Sequence, residues 1–234
     1  IGRIIIFMKK ITIQDIQNLK NCETPFATLT AYDFTSARLV DQANIPLILV
    51  GDSAAMVVYG YDTTIPVSMD EMAFLVASVS RGTNQALVVA DMPFLSYQVS
   101  IENAIFNAGR FIKESGAQAV KLEGGEEYAD RISGIVNAGI PVVAHIGLTP
   151  QSFHQMSGYK VQGKTQRSAE KLLDDARAVE KAGAFALVLE GIPSELAKRL
   201  TEYVTIPTIG IGAGVHCDGQ IQVFHDILGM YGTF

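Results

Sequence analysis

The sequence predicts a single-domain α/β protein folded as an eight-stranded (β/α)8 barrel, the TIM barrel, and three observations carry that expectation. Short β-branched or apolar runs alternate with longer stretches of helical period, the pattern of repeated βαβ units around a parallel sheet. Eight such runs follow one another with no composition break or linker between them. The chain has 234 residues, 48% of them hydrophobic, which is close to the ~250 residues typical of such barrels.

In chain order the strand runs are Phe26 to Thr30, Pro46 to Val50, Ala86 to Ala90, Gln118 to Glu123, Pro141 to His145, Ala186 to Glu190 and Pro207 to Ile211, with a shorter eighth at about Gln222 to His225. Helices are expected between successive strands. Ser68 with Glu71 reads as a capping box, Ser100 caps the next helix, and Gly82, Gly116, Gly139 and Gly183 supply C-terminal stops. The first strand-to-helix turn, Ala31 to Phe34, lacks the G-x-G-x-x-G fingerprint of an open dinucleotide-binding sheet. Residues 9–234 therefore read as the catalytic barrel. Residues 1–8 read as a non-native leader or a disordered N-terminus, with Met8 the natural start. A C-terminal helical segment is expected beyond Phe234. The connection from Gly147 to Lys164 is long and rich in Gly, Ser and Gln, as suits a lid over a substrate.

Charge and cysteine usage narrow the function classes. A formal charge of −6 arises from 24 acids mixed with 18 Lys and Arg, so no basic stripe offers itself to nucleic acid. No apolar run has the length of a membrane span. The two cysteines, Cys22 and Cys217, stand far apart without a C-x-x-C partner, which fits a reducing compartment and no zinc knuckle.

In a barrel of this kind the active site lies at the C-terminal ends of the strands, where the loops converge. Five runs carry a titratable residue at or just past that end: Asp52, Asp91, Lys121 with Glu123, His145 and Glu190. A single Asp there is as often a helix cap; five together mark a site. In the fourth run, alternation puts Ala119, Lys121 and Glu123 on one face and Val120 with Leu122 on the other. The polar face is expected inside the barrel.

Three carboxylates from neighbouring strands repel one another unless a cation is present, and Lys121 alone does not balance them. All-oxygen ligation selects a hard ion, and magnesium takes few carboxylates directly while keeping water. Asp52 and Asp91 are therefore expected to bind Mg²⁺ directly, with Glu123 acting through water. Such a metal chelates a 2-oxo acid and lowers the cost of an enolate. Glu190 is expected to be a general base or acid, its pKa raised by an apolar wall. His145 is a second hydrogen-bonding candidate, or simply a satisfied polar residue. The glycines of Ile209 to Gly214 read either as a phosphate-gripping turn or as a close backbone approach.

From about Lys9 to Gly229 the chain resembles the ketopantoate hydroxymethyltransferase family. The motifs that carry the resemblance are Thr30-Ala31-Tyr32-Asp33, Leu49-Val50-Gly51-Asp52-Ser53, Ala90-Asp91-Met92-Pro93-Phe94 and Val120-Lys121-Leu122-Glu123-Gly124-Gly125. They continue with His145 to Ser152, Gly158 to Gly163, Leu187 to Glu190, and Ile209 to Gly214 followed by Asp218-Gly219-Gln220. The resemblance implies Mg²⁺ at Asp52, Asp91 and Glu123, contacts to a 2-oxo acid from Asp52, Ser53, Asp91 and Lys121, and Glu190 as the catalytic proton acceptor. It also implies hydroxymethyl transfer from 5,10-methylenetetrahydrofolate to 3-methyl-2-oxobutanoate, giving 2-dehydropantoate in pantothenate biosynthesis, by a cytoplasmic homodecamer.

The alternative is a Mg-dependent carbon–carbon lyase or mutase of the isocitrate lyase or phosphoenolpyruvate mutase type. That chemistry calls for a cysteine in a Lys-Lys-Cys-Gly-His type motif, and neither Cys22 nor Cys217 has such a setting. A barrel that has lost catalysis would show erosion of the strand-end acids, and all are present.

Overall fold

The computed structural model describes residues 9–20, 22 and 24–230; the expected leader at 1–8 lies outside them. Eight parallel strands pair in chain order and close, β8 against β1. They are β1 Phe26–Thr30, β2 Leu47–Val50, β3 Leu87–Asp91, β4 Ala119–Glu123, β5 Val142–Gly147, β6 Ala186–Glu190, β7 Thr208–Ile211 and β8 Gly219–Gln222. The helices are α1 Ile13–Gln17, α2 Phe34–Gln42, α3 Ala54–Val57, α4 Met69–Gly82, α5 Ile101–Lys113, α6 Ala129–Asn137, α7 Phe153–Met156, α8 Gln166–Lys181, α9 Ser194–Tyr203 and α10 Phe224–Ile227. None is long and apolar enough to cross a membrane among the described residues.

Strand alternation splits the core in two. Inward residues Leu49, Val89, Ala119, Val143, Val188 and Ile209 fill the barrel, and Ile16 from α1 is buried with them. Outward residues such as Val120, Leu122, Leu187 and Leu189 pack with apolar side chains of the surrounding helices. Ala119 thus faces inward and Val120 with Leu122 outward, as alternation requires. The capping box at Ser68 and Glu71 and the cap at Ser100 are both formed.

Three expectations are corrected. The eighth strand is Gly219–Gln222, three residues earlier than the apolar Val223 and Phe224 suggested, and His225 lies in α10. Gly219 opens that strand because a Cβ there would meet the Phe26 ring at 2.6 Å, a contact that decides the register. Gly82 does not stop its helix: Thr83 is the cap. Its missing side chain instead lets α4 approach α2, since a Cβ would lie 2.6 Å from the Phe34 carbonyl oxygen. Finally, no helix joins β7 to β8, because residues 212–218 form a tight loop.

Candidate active site

The C-terminal ends of the strands surround a cavity of about 430 Å³, within the size range of small-molecule sites. Asp52, Ser53, Asp91, Lys121, Glu123, His145 and Glu190 all line it, so every site residue expected from the sequence is brought to one mouth. The register explains the convergence. Asp91 pairs with Lys121 across β3 and β4, Glu123 with His145 across β4 and β5, and Glu190 with Gly147 across β5 and β6. Each strand-end residue is thereby staggered around the rim.

Within the mouth the charges form two groups. On one side the Lys121 ammonium donates to both oxygens of Asp91, at 2.7 and 2.9 Å, and lies 3.7 Å from Glu123 Oε1. Lys121 is only 4% exposed, and although burial opposes its charge, Asp91, Glu123 and Asp52 hold its pKa above the ordinary value. Burial and the charges of Asp91 and Glu123 push the Asp52 carboxyl well up, against smaller contributions from Lys121 and Gln151. Asp91 is also raised, chiefly by burial, with Lys121 opposing and Glu123 reinforcing. Glu123 moves the other way: burial opposes ionisation, but His145, Lys121 and the Gln151 backbone N–H together lower its pKa. In the structure Lys121 is committed first to Asp91, because the β3–β4 register sets those two side by side.

On the other side His145 stands between two acids. Its Nδ1 is 3.4 Å from Glu123 Oε1 and its Nε2 is 3.3 Å from Glu190 Oε2. These are ion-pair separations rather than formed hydrogen bonds. Burial and Lys121 lower the imidazole pKa, but the two glutamates outweigh them and raise it to about 9. His145 is the charged neighbour of Glu190, whose side chain is 22% exposed at a cavity that Leu148, Val188 and Ile211 also line.

Three residues were missed by sequence reasoning. Tyr32 hydrogen-bonds Ser53 through their hydroxyls at 2.8 Å, fixing a side chain assigned to substrate. Tyr97 places its hydroxyl 2.9 Å from Gln151 Oε1 and accepts from the Glu123 N–H at 3.2 Å. Gln151, in the turn after β5, donates to Asp52 through Nε2 and to Glu123 through its backbone N–H, both at 3.0 Å. Contacts that span 21, 26 and 99 positions of the chain leave no periodic signal. The expected lid is thus anchored at its start by Gln151, which is buried; near its end Gly163 packs where a Cβ would meet the Leu196 side chain.

The glycine-rich turn after β7 is explained by packing. A Cβ on Gly214 would lie 2.2 Å from Ser194 Oγ, and its φ is +78°; the turn presses on the start of α9.

A closed parallel barrel with catalytic-type side chains gathered at its strand ends is an α/β-barrel enzyme. Residues 10–234 match the family model of ketopantoate hydroxymethyltransferase, and the chain belongs to that family. It is 56% identical over 224 residues to the 3-methyl-2-oxobutanoate hydroxymethyltransferase of Carboxydothermus hydrogenoformans, covering 96% of this chain and 81% of the relative. The enzyme of that name from Syntrophotalea carbinolica is 60% identical over 222 residues, covering 95% and 83%. Among solved structures, phosphonopyruvate hydrolase in complex with oxalate and Mg²⁺ superposes with a TM-score of 0.71 at 15% identity, covering 95% of this chain and 83% of that one. A 2,3-dimethylmalate lyase of the phosphoenolpyruvate mutase and isocitrate lyase superfamily gives 0.69 at 20% identity, covering 95% and 84%. Those two likenesses show a shared barrel. The lyase alternative lacks its cysteine, since Cys217 is buried, Cys22 is exposed, and neither lines the cavity.

Proposed function

We propose that this chain transfers a hydroxymethyl group from 5,10-methylenetetrahydrofolate to 3-methyl-2-oxobutanoate, giving 2-dehydropantoate, with Mg²⁺ as its metal. The observation that carries the reading is the division of one mouth into an anionic pocket with a lysine and a separate His145–Glu190 pair. The first suits a metal and a 2-oxo acid; the second suits proton transfer.

The residues fit the ion. Glu123 Oε1 is buried without a hydrogen-bond partner, and crowding raises both Asp52 and Asp91, so a hard cation relieves the pocket. Two direct carboxylate ligands would suit an ion that keeps much of its water. Asp52 and Asp91 would hold Mg²⁺ directly and Glu123 through water. Bound there, Mg²⁺ supplies Lewis-acid polarisation of the 2-oxo group. Lys121 provides the fixed positive charge for the substrate carboxylate, and Ser53, held by Tyr32, a hydrogen bond. Glu190 removes the C3 proton, its carboxylate oriented by His145. The carbon so activated attacks the donor's methylene carbon, both C–N bonds of that methylene break, one water supplies the hydroxyl of the product, and tetrahydrofolate leaves. Assembly as a homodecamer in the cytoplasm belongs to the same reading.

The test separates proton removal from transfer. Wild-type protein with Mg²⁺ and 3-methyl-2-oxobutanoate in D₂O, without folate, is expected to exchange the C3 proton in an NMR time course. No exchange while calorimetry shows the 2-oxo acid bound overturns the reading.

A further inference from the structure

Gln151 makes five hydrogen-bond contacts within the mouth. Its Nε2 donates to Asp52 Oδ2 at 3.0 Å and to the Met92 carbonyl at 2.9 Å. Its Oε1 lies 2.9 Å from the Tyr97 hydroxyl and accepts from Gln98 Nε2 at 3.2 Å. Its backbone N–H donates to Glu123 Oε2 at 3.0 Å. Both amide hydrogens and both lone-pair directions of the side chain are used. A flipped amide would set its oxygen against a carboxylate and a carbonyl, and its NH₂ against the Gln98 NH₂, whose own oxygen faces the Tyr97 N–H at 3.4 Å. The orientation is therefore determined by the network.

The consequence falls on the carboxylates. Gln151 ties one oxygen of Asp52 and one of Glu123, while the other Glu123 oxygen stays buried without a hydrogen bond. Lys121 and the Asp52 N–H, 3.1 Å from Asp91 Oδ2, fix the third acid in place while its remaining lone pairs stay available. Each acid flanking Gln151 is left with one oxygen to offer. Mg²⁺ takes single oxygens in an octahedron at about 2.0–2.1 Å, whereas Ca²⁺ takes about six to eight and readily uses both oxygens of a carboxylate.

We propose that Gln151 is a positioning residue that sets metal selectivity, leaving Asp52 a single oxygen for the ion and Glu123 a single oxygen for an ion-bound water, and so favouring Mg²⁺ over Ca²⁺. This rests on the reading of the pocket as a metal site. Residues that orient metal ligands typically contribute about 10–100-fold to affinity.

The test is calorimetric titration of the whole protein with MgCl₂ and, separately, CaCl₂. Wild type is expected to bind Mg²⁺ the more tightly. Gln151→Met keeps the length and the backbone N–H to Glu123 but frees the second oxygen of Asp52; Mg²⁺ affinity is expected to fall about 10–100-fold and Ca²⁺ affinity to fall less or rise. Tyr97→Phe, which removes one hydroxyl from the network, is expected to shift the ratio the same way by less, and is the variant read should Gln151→Met not fold. Affinities for both ions that fall in parallel, leaving the ratio unchanged, overturn selectivity and reduce Gln151 to structure. Wild type that binds neither ion overturns the metal reading and this inference together; wild type that prefers Mg²⁺ beside variants that prefer it equally overturns the inference alone.

Discussion

At the N-terminal end of the strands, Asp41 accepts from the backbone N–H groups of Asn84, Gln85 and Ala86 at 3.0, 3.0 and 2.8 Å. Nearby Asp218 accepts from Lys20 at 3.0 Å and from the Thr208 N–H and hydroxyl at 2.8 and 2.9 Å. At the opposite end Asp52, Asp91 and Glu123 are equally buried, yet they crowd one another around a single lysine. Acids at the first end are supplied with donors and serve the fold. Those at the second keep unmet capacity, which stabilises a ligand at the expense of the empty protein.

The comparison can be broken most sharply at Glu190. Glu190→Gln keeps size and reach but accepts no proton, so deuterium exchange at C3 and overall transfer are both expected to fall roughly 10²- to 10⁴-fold. Exchange at the wild-type rate with transfer lost would place Glu190 after proton removal and direct attention to His145.

Lys121→Met removes the cation that all three acids share. The metal-free variant is expected to lose about 3 kcal/mol of stability, as when one member of a buried ion pair is deleted. Mg²⁺ is expected to restore part of it by binding the folded state alone, while affinity for the 2-oxo acid stays weak. Urea denaturation in chelator and in Mg²⁺ measures the difference; equal losses in both would show that lysine and metal do not answer the same charge.

At the other end, Asp41→Ala orphans three backbone donors and is expected to cost about 2 kcal/mol with no change in Mg²⁺ affinity. Altered Mg²⁺ binding in that variant would erase the distinction between the two ends.

The smallest expected effect belongs to Asp33, an acid just past β1 on the active-site face that serves the fold. Its carboxylate accepts from the N–H groups of Thr35 and Ser36 at 2.7 and 3.0 Å, capping α2. Partial burial raises its pKa, but hydrogen bonds from Ser36 and Thr35 outweigh this and hold it below the ordinary value. A depressed carboxylate stabilises the fold above its unfolded pKa of ~3.9 and loses that contribution as pH falls through the folded value. Asp33→Ala is therefore expected to cost about 1 kcal/mol at pH 7, with the gap to wild type closing in acid. A gap that persists at the lowest pH where both remain folded would show that the cap is not the charged carboxylate.

The sequence by itself determined the strand order, the inward face of β4 and the identity of the strand-end residues. Period-two alternation and the barrel rule are local, and each strand carries its own signal. The same locality misplaced β8, where the Phe26 ring sets the register, and misread Gly82, whose reason is a neighbouring helix. Only the tertiary structure decided how the mouth is wired: Lys121 on Asp91, His145 between Glu123 and Glu190, and Gln151 between Asp52 and Glu123. Asp52 and Gln151 stand 99 residues apart. What joins them is a hydrogen bond made after the barrel closes, and no periodicity along the chain records it.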